Sequence, residues 1–472
     1  MTRTPDISAV EPDHKAETAA HPASENGAGP HTAHAEARPT EPVTLNVGDP
    51  HFRDNAYDIY ADLRTKGPVT RVRVTAGEQG AAGEGAEERR TIFGPGETFF
   101  VTHYDEVVAT LLDDRFSVDL RTGLPPEQRD QQRPVPEEFR PLARSILTID
   151  PPDHTRLRKL VQPSFTGRAM EALRANIQQI ADDLLDKAEQ DAAARGETAP
   201  NRTMDLIAAF AYPMPVTVIS DMLGIPREDR ETIREWTENL LRVDRRQGQG
   251  EDEATRAGLR EFASYLRDLF ERKRRHPADD MITRLVQAEE DGDRFTEDEI
   301  LSMVFLLFLA GHVTTVNLIG NGVVALLTHP DQLAQFKAKP ELVRGVVEET
   351  LRYWGPVDFI GRRIAREDVE LGGTLIPAGE QATVSLAAAN RDPAQFANPD
   401  VYDITRPDAS RHVAFGKGIH VCLGAPLARV EGQVAFATLF RRFPELRLAV
   451  PAEEIRWGGS FLRGFGRLPV LF

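Results

Sequence analysis

Cys422 is the only cysteine among 472 residues, and it sits in a glycine-dense stretch, Phe415-Gly416-Lys417-Gly418-Ile419-His420-Val421-Cys422-Leu423-Gly424. A single cysteine excludes an internal disulfide and any multi-cysteine zinc or iron–sulfur site. It leaves a buried inert thiol, a nucleophile, or a lone thiolate ligand to a metal. Glycines at this density make a tight loop whose backbone can be approached closely. Beyond it, Leu423, Leu427, Val430, Val434 and Ala437 recur at helical spacing, so Cys422 is expected at or just before a helix N-terminus. There the helix dipole and free N–H groups are expected to lower its pKa and hydrogen-bond its sulfur. A thiol nucleophile needs a histidine base across a cleft, and His420 lies in the loop itself. A thiolate held this way suits a strongly donating axial ligand to haem iron.

The totals narrow the partners. The formal net charge of −17 argues against a nucleic-acid partner, for which a basic face is expected. The strongest apolar run, Val304 to Ala310, is far shorter than a membrane span, and the N-terminus has no basic patch followed by an apolar core. A cytoplasmic protein with no membrane association is expected. Residues 1–45 are rich in Thr, Pro, Ala, Glu and His and poor in large apolar side chains, so they are expected to be a disordered tail. His14, His21, His31 and His34 fall there and read as solvated side chains.

By length alone the 472 residues are enough for about three average domains, with order expected from residue 46. Ala56 to Lys66 is expected as a helix ended by Gly67-Pro68. Val69 to Val74 and Thr98 to Thr102 are expected as paired strands joined by a Gly- and Glu-rich loop over Ala76 to Arg90. Arg115 to Ser145 is charged, proline-rich and aperiodic, and so long an irregular stretch is usually functional. Helical patterns run from Arg168 to Arg195, Asp205 to Leu223, Arg227 to Asp244 and Glu251 to Arg275, the last pair broken at Gln247 to Gly250. Thr296-Glu-Asp-Glu299 is a capping box opening a helix to about Leu327 that is apolar nearly all round and belongs mid-fold. From Glu341 to Tyr353, Glu349 and Arg352 share an apolar face, where a buried pair must be fully partnered. Leu371 to Ser385 reads as short strands and turns.

The Phe-Gly-x-Gly-x-His-x-Cys-x-Gly stretch closely resembles the haem-binding loop of the cytochrome P-450 family. Glu349-Thr-Leu-Arg352 matches that family's Glu-x-x-Arg. Ala310-Gly311-His312-Val313-Thr314-Thr315 matches the segment of its central helix that crosses the haem, and His154-x-x-x-Arg158 its propionate-binding motif. The resemblance spans roughly Asp49 to Phe472. It implies a mainly α fold with a small β-rich lobe (α+β), a single haem domain over residues 46–472 around a long central helix.

The resemblance also implies roles. Haem b would be held by the Cys422 thiolate, with Phe415, Gly416 and Gly418 shaping the loop. His154, Arg158, Arg363 and His412 would bind propionates; read alone, His154 and Arg158, one turn apart, would be an exposed polar face. Ala310 and Gly311 would leave room for dioxygen and Thr314 would hydrogen-bond it, although a hydroxyl bonded back to the Ala310 carbonyl is a common mid-helix habit. Glu349, Arg352 and Arg406 would form a structural triad locking the cysteine loop. Val313, Val357, Phe359, Ile360, Phe461 and Leu462 are substrate-pocket candidates, and the break at Gln247 to Gly250 would lie in a lid.

One departure matters. The family usually has an acid just before the Thr, and this chain has Val313. Either water at Thr314 delivers protons, or the enzyme runs oxidative coupling, dehydration or a peroxide-driven reaction; a haem-thiolate sensor is a third class. The expected activity is a monooxygenase hydroxylating or epoxidising a polyketide- or macrolide-like metabolite. It is expected to be a monomer fed by a ferredoxin and its NAD(P)H-linked reductase. Arg156, Arg411, Lys417 and Arg429 are expected to form the ferredoxin's basic landing patch.

Overall fold

The computed structural model describes residues 41–47, 49–75, 96–130, 135–230, 232–233, 236, 253–290, 293–458 and 462–472. The expectations for residues 1–40, the Ala76–Arg90 loop, the Gln247–Gly250 break and Phe461 lie outside them. The tail boundary at 45 is corrected. Val43–Asn46 is a strand, β1, paired in parallel with β2, Val69–Thr75 (Val43 opposite Val72), and Leu45 is buried. Four residues are too few for composition to reveal a strand whose partner lies elsewhere in the chain.

The architecture is mainly α with a small β-rich lobe. The lobe's sheet adds β3 (Glu97–Val101), β4 (Phe116–Ser117), β5 (Phe359–Ala365) and β6 (Gln381–Ser385), in the order β1-β2-β3-β6-β5-β4. β3 and β6 are parallel, Phe99 opposite Ala382; β5 is antiparallel to both β6 and β4. In β2 the period-two pattern is visible in the residues: Val72 and Val74 are buried while Arg71 and Arg73 are exposed and pair with Glu97.

The helical part is built around Glu297–Thr328. Thr296 Oγ1 accepts from Glu299 N and the Glu299 carboxylate accepts from Thr296 N, the reciprocal cap its sequence implies. This helix is long and apolar enough to cross a membrane, but 67% of its most apolar window is buried inside the protein. It packs against the helices Pro213–Leu223 and Val343–Tyr353 and the cysteine helix, Ala425–Arg442. The described part of the aperiodic Arg115–Ser145 stretch, residues 115–130 and 135–145, holds β4 and several helical turns of three to five residues, too short to leave a period.

Candidate functional site

The cysteine loop is fixed by its own backbone. Gly416 and Gly418 have φ of 70° and 72°, where a side chain is strained, and a Cβ on Gly418 would lie 2.4 Å from the Leu111 carbonyl oxygen. Cys422 N donates to Phe415 O at 2.8 Å, closing the loop three residues before the Ala425–Arg442 helix. The residue is exposed, yet burial by the surrounding atoms raises its thiol pKa. The expected lowering is thus reversed. The Gly424 and Ala425 N–H groups and the Arg158 charge do oppose the rise, but without a bound cation they do not outweigh desolvation.

The cysteine helix packs against the central helix, where Thr315 Oγ1 donates to Glu431 Oε2. Ala310 is exposed in the middle of an otherwise buried helix, with Val313 and Thr314 half-buried one turn on, while Phe308, His312 and Thr315 are buried on the other side. Thr314 Oγ1 donates to Ala310 O at 3.0 Å, so the back-bonded hydroxyl is present. Gly311 has a different reason from the one expected. A Cβ there would meet Ile219 of the neighbouring helix at 3.3 Å, so the glycine allows helix packing, and Ala310 supplies the small exposed side chain.

Two histidines and two arginines cluster near Cys422. The His154 and His420 rings have centroids 4.3 Å apart, and all four ring nitrogens are buried without a side-chain hydrogen-bond partner among the described residues. Burial, then Arg158, lowers the His154 pKa; burial, then His154 and Arg363, pushes that of His420 down to about 3. Arg363 is buried, its pKa is pushed down to about 10 by burial, and its hydrogen bond runs to Arg362 O at 3.2 Å. Burial likewise lowers Arg158, whose largest opposing influence is the Cys422 sulfur. The nearby carboxylate, Asp150, is already taken by Ser117, Val118 N, Thr122 and Arg366. An exposed thiol beside four clustered basic side chains fits a thiolate-ligated haem with two propionates.

His412 is corrected. Its Nδ1 accepts from Ala414 N at 3.1 Å and its Nε2 lies 3.1 Å from Glu348 Oε2, so both nitrogens are occupied within the protein. His420, which the sequence reading left unassigned, stands beside His154 instead. The available signal was its position in the glycine loop, two residues from the cysteine.

The triad assembles as expected. Arg352 and Glu349 are fully buried in a two-bond fork of 2.8 Å each, and Arg406 Nε reaches Glu349 Oε1 at 3.2 Å. Among the pocket candidates, Val357 and Leu462 face each other across an isolated antiparallel bridge, and Ile360 lies against the Gly416 turn. Phe359 is corrected: strand alternation turns it away from Ile360, and it packs edge-on against Phe100 beneath the sheet. Of the expected basic patch, Arg156 is tied to Glu299 and Asp293, and Arg429 forks onto Glu348 and covers Phe415. Arg411 is exposed and Lys417 half-buried. Beside them stand exposed Leu112, Ile419 and Val421.

The family description Cytochrome P450 matches residues 79–249 and 253–451. Cytochrome P450 CYP107DY1 of Priestia megaterium is 44% identical over 386 residues, 80% of this chain and 91% of that protein. Cytochrome P450 monooxygenase PikC of Streptomyces venezuelae is 40% identical over 433 residues, 91% of this chain and 94% of that protein. The solved structure of the polyketide synthase cytochrome P450 PksS of Bacillus subtilis superposes with a TM-score of 0.77 at 37% identity, covering 90% of this chain and 99% of that one. The chain belongs to the cytochrome P450 family, oxygen-incorporating oxidoreductases whose haem iron is bound by cysteine. In this chain Cys422 is that ligand.

Proposed function

We propose that the protein is a monooxygenase that hydroxylates or epoxidises a polyketide- or macrolide-like secondary metabolite in the cytoplasm. The observation that carries the catalytic reading is an exposed Cys422 thiol just before a helix that packs against the central helix, on which Ala310 is exposed and Thr314 is anchored to its carbonyl. The substrate class rests on relatives such as PksS, named for polyketide biosynthesis. Haem, when bound, supplies dioxygen activation; the chain supplies placement. His154, Arg158, Arg363 and His420 hold the propionates. Ala310 keeps space open, and the Thr314 hydroxyl, anchored on Ala310 O, orients a water that carries protons in. Val357, Ile360 and Leu462 face the substrate, and the Glu349–Arg352–Arg406 triad keeps the cysteine loop in place. Electrons come from a ferredoxin docking at Leu112, Ile419, Arg411 and Lys417.

Val313 favours a second reading, oxidative coupling or a peroxide-driven reaction, because that position holds no proton donor. The test is the absorption spectrum of reduced protein under carbon monoxide, beside Cys422→Ser. A strongly red-shifted thiolate-type band lost in the variant, with product carrying one oxygen atom from labelled dioxygen, is expected. A histidine-type band refutes the ligand assignment, and product without labelled oxygen favours the second reading.

A further inference from the structure

A buried ion pair outside the haem site ties together the two segments that carry Val357 and Leu462. Asp358 and Arg463 are 1% and 5% exposed. Arg463 Nε donates to Asp358 Oδ1 at 2.9 Å and its NH2 donates to Oδ2 at 2.9 Å, a fork geometry with directional as well as electrostatic strength. Each partner is itself clamped. Tyr60 donates to Asp358 Oδ2 at 3.2 Å, and Ala387 N donates to Asp358 O at 3.0 Å. Arg463 N donates to Pro356 O at 2.8 Å, its NH1 reaches Arg53 O at 3.3 Å, and its guanidinium lies 4.9 Å and 4.8 Å from the ring centroids of Tyr57 and Trp457.

The central helix joins the same assembly. Asn321 Nδ2 donates to Arg463 O at 3.1 Å and to Trp354 O at 2.9 Å. A Cβ on Gly464 would fall 2.0 Å from Asn317 Oδ1, so the chain after Arg463 can lie against the helix only as glycine. Residues 357 and 462, each next in sequence to a member of the pair, form their bridge as a direct result. A fold needing only stability would be served as well by apolar residues here, since a buried pair seldom stabilises more than its hydrophobic replacement. What the fork adds is a fixed register between the two segments that carry Val357 and Leu462.

We infer that Asp358 and Arg463 are positioning residues that set substrate specificity, by fixing Val357 opposite Leu462. This rests on the reading that Val357 and Leu462 line the substrate pocket. The experiment uses haem-loaded protein and two iron-binding probes, imidazole, too small to feel that wall, and the bulky azole clotrimazole. Both are titrated spectroscopically against Asp358→Asn, Arg463→Lys and the double variant Asp358→Asn with Arg463→Gln.

The carbon monoxide band first reports the thiolate site: its absence from wild type would fail the haem reading, independently of the clamp. With the band intact, the single variants should bind imidazole as wild type does and clotrimazole about tenfold more weakly. The double variant, which leaves no orphan charge and can still hydrogen-bond across the pair, should recover most of that loss. If the single variants fail to take up haem, the double variant decides alone, with clotrimazole affinity between wild type and a tenfold loss expected at unchanged imidazole affinity. Clotrimazole affinity unchanged throughout, or both probes weakened in parallel, overturns the inference, because a merely structural pair would act on both probes or on neither.

Discussion

The imidazole rings of His154 and His420 lie 4.3 Å apart, tilted by 59°, with no side chain among the described residues hydrogen-bonded to their nitrogens. Two buried rings without such partners represent a cost unless something bonds them. A propionate carboxylate would do so. His154→Ala and His420→Ala should each speed haem transfer to excess apomyoglobin by about tenfold, since each removes a charge-assisted bond. His412→Ala should leave that rate near wild type, because its nitrogens serve Glu348 and Ala414. The reverse pattern would restore His412 as the propionate ligand.

The triad makes a sharper demand on its side chain than charge alone. Arg352 spends its donors on Glu349, Asn390 O, Pro399 O and Val401 O at 2.8–3.0 Å. Lysine keeps the charge but cannot span that fork. Arg352→Lys and Glu349→Gln should each destabilise the protein by about 3–5 kcal/mol, measured by urea denaturation, with haem content falling in parallel.

What the sequence disclosed depended on the range of the interaction that set each feature. Ala56–Lys66 and the Thr296 cap were legible because both are written in local signals: helix formers closed by Gly67-Pro68, and a Thr and a Glu three residues apart. The pairing of Glu349 with Arg352 was legible for the same reason. β1 was not, because its four residues are strand only through β2. Nor could local pattern tell His412 from His420, or show that Arg156 is neutralised by Glu299, 143 residues away. Gly311 was read as room over the iron, and only the packed structure shows Ile219 of the neighbouring helix 3.3 Å from where its Cβ would lie.

The neutralised arginines change what charge reversal should do. Arg411→Glu with Lys417→Glu should slow reduction by ferredoxin at low salt and flatten its salt dependence, as expected for steering charges. Ile419→Asp, which breaks the exposed apolar patch, should slow it at every salt concentration. Arg156→Gln should change nothing in stopped-flow reduction, because its guanidinium is already held by Glu299 and Asp293.

At Thr314 the prediction concerns coupling. Its hydroxyl is anchored on Ala310 O, and the preceding Val313 offers no proton. Thr314→Ala should raise the fraction of consumed dioxygen released as hydrogen peroxide several-fold, and Val313→Asp should lower it, since a positioned acid assists proton transfer. If Val313→Asp leaves the peroxide fraction unchanged, proton supply does not limit this enzyme, which is what a coupling or peroxide-driven reaction requires.

The adjacent Thr315 faces the other way, into the cysteine helix, and meets an acid. Glu431 is 1% exposed, accepts from Thr315 Oγ1 at 3.3 Å through Oε2, and has no partner for Oε1 among the described residues. Burial raises its pKa from 4.5 to about 8, with the Thr315 hydrogen bond opposing. At neutral pH the carboxyl is therefore protonated in the folded protein and ionised in the unfolded chain. Because the folded pKa lies above the unfolded one, its contribution to stability is fully present below about pH 4.5 and is lost as pH rises toward 8. Glu431→Gln, isosteric with the neutral acid, lacks this loss. Urea denaturation across that window should show wild type falling steadily below Glu431→Gln, by several kcal/mol at the alkaline end. Infrared difference spectra should show a protonated carboxyl stretch at pH 6 that is missing from the variant. Parallel stability curves for the two proteins would mean that Glu431 is ionised when folded, with a buried cation or water at Oε1 supplying the charge balance.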